Sequence, residues 1–161
     1  MGNLLGERLA RVARLDATVF EEVAADETAT GSALIVLLGA CALDALGSGG
    51  GLEGTLLGLA AAAFHMGLWI LAIQVGARGL DLGGALAPLF RALGFAAAPL
   101  AVGLLRPLPL LGELAGAARW LLVLIAFSLA AGRVLRSEGA TPWVLVLTAL
   151  LAAALLERIV F

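Results

Sequence analysis

The residue types able to do chemistry are few in this chain and stand far apart. Haem and copper both accept imidazole and thioether ligands, so the neighbours His65 and Met66 are the first candidates. With one histidine, one cysteine and two methionines in 161 residues, second ligands are scarce. A buried His65 hydrogen-bonded between helices is the better reading. Cys41 has no partner for an intrachain disulfide or a multi-thiolate site, and in its apolar run it reads as a small buried hydrophobe. Glu21, Glu22, Asp26 and Glu27 form an acidic cluster that could draw a divalent ion, yet they lack the loop pattern of an EF-hand. Solvated acids at a helix end are the commoner case. The glycines at 49–51 lack the lysine and the following helix of a phosphate-binding loop. No set of nucleophile, base and stabilising donor converges, so the expectation is a non-enzymatic chain without cofactor or metal.

Two charged residues stand inside apolar sequence. Arg91 is the stronger site candidate, because a charge within a membrane span costs several kcal/mol unless paired or hydrated, about 2.5–3.5 at the span centre. It has three readings: snorkelling to the interface, a structural ion pair, or a ligand or ion site. Asp44 lies near the far end of its apolar run and is expected to reach water.

The elements that must position these residues follow from composition. Hydrophobic residues make up 62% of the chain and charged residues 14%, and mean hydropathy is +1.08. Soluble domains are about half apolar and about a quarter charged, so this chain belongs in lipid. A net charge of −2 offers nothing to nucleic acid. All ten basic residues are arginine, which we read as the base composition of a GC-rich prokaryotic genome. The apolar blocks predict an all-α transmembrane bundle of about five spans, near 29–47, 55–78, 85–105, 113–135 and 142–160. Residues 1–28 precede it as an amphipathic segment, with Leu5, Leu9 and Val12, then Val19, Phe20 and Val23, at helical spacing. Thr18 and Glu21 predict a capping box there. The segment is suited to the headgroup region or to docking on the ends of the spans. It does not have the apolar core of a cleavable signal peptide. Gly94 and Pro99 break the third span; Pro99 cannot donate to the Phe95 carbonyl, so a kink is expected. Thr141 and Pro142 read as the N-cap and first residue of the last span, which Glu157 and Arg158 end. Small residues four apart, such as Gly54, Gly58 and Ala62, suit close helix packing in lipid.

Arginine placement predicts orientation. With the N-terminus inside, Arg8, Arg11, Arg14, Arg78, Arg91, Arg133 and Arg136 fall on the cytoplasmic side. Arg106, Arg119 and Arg158 fall outside. This gives a cytoplasmic N-terminus and an external C-terminus.

Three blocks carry a resemblance: LDATVFEEVAADETATGSAL at 15–34, RALGFAAAP at 91–99 and PLLGELAGAARWLLVLIAFSLAAGRVL at 109–135. Together with the order of elements, they resemble the Yip-domain family of five-span membrane proteins, its short prokaryotic members above all. In eukaryotes that family is associated with Rab GTPases and vesicle traffic through a tyrosine-containing N-terminal region. This chain has no tyrosine, so the resemblance implies the fold and not the trafficking role.

The function expected from these features is helix–helix association in a prokaryotic cytoplasmic membrane, as an organiser or accessory subunit of a membrane complex. Its partners would be the bilayer, other membrane proteins or further copies of itself. The alternative is a small transporter or channel subunit whose polar path includes Arg91. Glu21, Glu22 or Asp26 is expected to pair with Arg91 and clamp the amphipathic segment to the bundle.

Overall fold

In the computed structural model, the backbone is described for residues 2–83 and 85–160, and side chains for the same residues except 2–3, 154 and 156–160. The described residues form helices α1 (Gly2–Ala13), α2 (Thr18–Ala25), α3 (Ala29–Leu46), α4 (Gly51–Gly79), α5 (Leu86–Ala96), a 3-10 helix (Ala98–Leu105), α6 (Gly112–Val134) and α7 (Thr141–Val160). The chain is an all-α bundle. Among the described residues, four segments are long and apolar enough to cross a membrane: α3, α4, α5 with its 3-10 extension, and α6. A shorter apolar helix, Thr141–Ala153, lies within α7. This is an integral membrane protein. Glu157 and Arg158 lie outside the described side chains.

α4 starts at Gly51, earlier than the expected 55, so the glycine run does lead into a helix. Gly49 and Gly51 take positive φ, at 79° and 64°, which closes the turn from α3 tightly. At 1.5 Å per residue, α4 is roughly 43 Å long. Only 22% of its most apolar stretch is buried, against 56% for Leu86–Leu105. α4 is therefore peripheral. Its Leu52, Leu56, Leu57, Leu71 and Val75 are exposed, a face suited to lipid.

The third span stops being α-helical at Ala96 and continues as a 3-10 helix containing Pro99. Eight residues is long for this geometry. Proline has no N–H for the i−4 carbonyl, so the tighter pitch begins where that bond is missing. Residues 91–97 and Leu100 are all buried. The backbone freed by the break therefore lies against protein. Gly94 lets α3 come close, since a Cβ there would sit 3.0 Å from both Cβ and O of Ala33.

Trp69 ties the periphery to the core. Its Nε1 donates to the Val146 carbonyl of α7 at 3.1 Å, and its ring lies 4.4 Å from that of Phe127 on α6. α7 opens one residue earlier than expected, with Val144 N–H donating to Ala140 O. Pro142 still falls in the first turn, where its missing N–H costs nothing.

The amphipathic segment is a helical hairpin docked on the bundle. Val19, Phe20 and Val23 of α2 are fully buried, as is Val12 of α1. Burying side chains of this size contributes about 1.5–3 kcal/mol each, which favours docking over a position in the headgroups. The chain leaves α1 through Leu15, where φ is +56°. There Asp16 N–H bonds Arg11 O and Leu15 N–H bonds Val12 O, the pairing of a Schellman turn. The expected capping box is not formed. Thr18 is the first helical residue instead, and the Asp16 carboxylate accepts from its N–H at 2.9 Å and its hydroxyl at 2.6 Å.

Candidate functional site

The charged groups gather in two clusters, one under the N-terminal hairpin and one at the C-terminal end of α3. Under the hairpin, Arg91 of α5 is 6% exposed, so it does not snorkel to water. Its Nε and Nη2 donate to one acceptor, the Ala24 carbonyl, at 3.1 and 2.6 Å. Ala24 lies in the last turn of α2, where carbonyls have no intrahelical donor. The adjacent Glu22 carbonyl takes the Asp26 N–H; Arg91 takes the Ala24 carbonyl. The negative end of the helix dipole adds to this interaction.

Arg91 therefore does not pair with Glu21, Glu22 or Asp26. The reason is helical phase. Val19, Phe20, Val23 and Ala24 turn inward, while Glu22 and Asp26, four apart, share the face toward α1. Arg8 meets both, at 2.9 Å to Glu22 and 2.8 Å to Asp26. Arg11 meets Glu22 at 2.6 Å and Asp16 at 2.9 Å. Glu21 is exposed and joins no ion pair among the described residues. The expected clamp on the hairpin is thus made by a backbone acceptor, and the acids instead hold α1 to α2.

The network also sets protonation. Hydrogen bonds from Thr18, then Arg11, hold the Asp16 carboxyl down at about 2. Thr28, then Arg8, do the same for Asp26, also to about 2. Arg11, then Arg8, lower Glu22. All three are anions across the physiological range.

At the other cluster, Asp44 is buried and does not reach water as expected. Its Oδ1 is paired with Arg119 of α6, and Arg106, just past the 3-10 helix, lies 3.5 Å from the same oxygen. Arg106 Nη2 also donates to the Asp44 carbonyl at 2.7 Å. As with Ala24, that carbonyl belongs to the last turn of a helix. Gly103 makes the room: a Cβ there would collide with Oδ1 of Asp44, and one on Gly47 would collide with the Gly103 carbonyl. The Arg119 guanidinium also lies 5.1 Å from the Trp120 ring centroid, within range of a cation–π contact.

His65 is half-buried in α4 and meets Trp120 of α6 edge-on, with centroids 6.2 Å apart. Met66 beside it is buried in the core. Among the described residues, no three His, Cys, Asp or Glu side chains gather as metal ligands. Gly94 ends its role at the α3 crossing, and Pro99 lies five residues on in the 3-10 helix.

The Asp44 cluster went unrecognised in the sequence because its members lie 62 and 75 residues apart. One signal was present: Asp44, Arg106 and Arg119 all fall on the same expected side of the membrane. These clusters fasten elements together: Arg91 and Arg106 hold terminal carbonyls, and four carboxylates answer four arginines. No family model matches the chain, and neither does any curated protein or solved structure.

Proposed function

We propose that this chain is a non-enzymatic membrane protein acting by helix–helix association, as an organiser or accessory subunit of a membrane complex. The observation that carries the reading is how its polar and apolar groups are divided. Arg8, Arg91 and Asp44 are buried and engaged within the chain. The long peripheral helix α4 instead offers an apolar face along most of its length. In lipid, such a face associates by packing rather than by the hydrophobic effect. A transport path lined by Arg91 is less well supported, because its guanidinium is committed to Ala24 beneath the hairpin. The short prokaryotic Yip-like proteins remain the family that the sequence blocks favour, in a cytoplasmic membrane with the N-terminus inside and the C-terminus outside.

Purification in a mild detergent that preserves native complexes tests this reading. A stoichiometric membrane-protein partner, lost when α4 face residues such as Leu56 and Leu71 become serine, is the expected result. A symmetric homo-oligomer with Arg91 on a polar axis would overturn it in favour of transport. Reporter fusions at both ends test the orientation; both ends on one side would refute it.

A further inference from the structure

The polar surface left over by the two clusters is a cleft of about 570 Å³ beside α2, at the turn between α6 and α7. Arg133, Arg136, Glu21 and Glu138 line it, and none of the four forms an ion pair among the described residues. The Ser128 hydroxyl, in a residue 2% exposed, lines the same cleft and is a buried group with no hydrogen-bond partner among the described residues. Ser128 precedes the α6 C-terminus at Val134 by six residues, a depth of roughly 9 Å along the helix. The headgroup region is about 5–7 Å thick per leaflet. With the α6 C-terminus at the membrane surface, the cleft would run from the headgroup level down to the level of glycerol esters. Trp143 stands at its rim, a side chain enriched at that interface.

We infer that this cleft binds one phospholipid with an ethanolamine headgroup. Two guanidiniums suit the phosphate, where forked N–H donors bind best. Two carboxylates balance them and suit a primary ammonium, which donates three hydrogen bonds. The charges of the four side chains cancel, matching a zwitterion rather than an anionic lipid. The Ser128 hydroxyl meets an ester carbonyl, a partner that a free phosphate does not provide. Leaving such a donor unpaired when buried is costly, and the bound lipid removes that cost. The inference is independent of the accessory-subunit reading, since it concerns the isolated chain.

The test is to reconstitute the purified chain in vesicles of phosphatidylethanolamine, phosphatidylcholine and phosphatidylglycerol in equal amounts. Lipid retained after mild extraction is then weighed by native mass spectrometry. Phosphatidylethanolamine should be enriched about tenfold over each of the others, the ratio one charged hydrogen bond provides. Arg133→Ala with Arg136→Ala should abolish the enrichment. Glu21→Gln with Glu138→Gln, on exposed residues whose loss leaves folding intact, should shift the preference to phosphatidylglycerol. Ser128→Ala should weaken retention of all three lipids. Equal retention of the three lipids by the native chain, or enrichment unchanged in the glutamine variant, overturns the inference. Displacement of the lipid by soluble phosphoethanolamine also overturns it, because the site would then read a free phosphoester.

Discussion

Replacing Arg91 by methionine should release α2 from the bundle while leaving the spans in place. The guanidinium is 6% exposed and places two N–H groups on one carbonyl. Methionine has comparable reach and no donor, so the substitution removes the bond with little loss of packing. A hydrogen bond with a charged partner contributes about 1.5–3 kcal/mol net, and the two donors share one oxygen, so we count them once. Taking about 2 kcal/mol, local opening of α2 becomes about 30-fold more frequent. Hydrogen exchange of residues 18–28 in detergent or nanodiscs reads this directly, because local opening sets exchange rates. Arg91→Lys should fall between the two, keeping the charge but not the planar fork. Protection in the core of α3 should not change. If residues 18–28 keep native protection in the methionine variant, the Ala24 bond is incidental and apolar burial of Phe20 alone holds the hairpin.

Acid should loosen the same hairpin by another route. Asp16 and Asp26 have folded values of about 2 against an ordinary 3.8, so their contribution is complete above about pH 4 and is lost as pH falls toward 2. Exchange in α1 should rise over that window, and faster exchange beginning near pH 6 would contradict it. Asp44→Asn should destabilise the bundle by about 3 kcal/mol, since it leaves two arginines together without their carboxylate. Thermal unfolding in detergent measures this, and an unchanged midpoint would show the cluster to be dispensable. Gly103→Ala should mimic that loss by displacing the carboxylate, and combined with Asp44→Asn it should cost much less than the sum. Trp69→Phe should detach α7 from α4 by removing the bond to Val146, seen as faster exchange in Thr141–Ala153.

Composition alone determined the solvent of this protein. Blocks of apolar residues longer than a helix needs to cross a bilayer leave no other class of fold, because lipid requires every backbone group to bond within its own helix. The same reasoning located the break in the third span, since a proline without an N–H is visible as a letter. The limits of α3, α6 and α7 were legible to within a residue or so, while α4 ran longer because glycine at its start tolerates a helix as readily as a turn. The partners of the charged residues were not legible. Sequence names side chains, so the expected partners of Arg91 are the acids on its own side of the membrane; its acceptor is a main-chain carbonyl, a group every residue carries. Which carbonyl goes unsatisfied depends on where α2 ends, and which acids face inward depends on the phase of a helix only eight residues long. The Asp44 cluster likewise required α3, α6 and the 3-10 helix to cross at Gly103, where the lack of one Cβ admits a carboxylate. Hydropathy is local and additive, so the sequence fixes it before folding. The pairing of charges depends on distances between remote helices, which exist only once the bundle has formed.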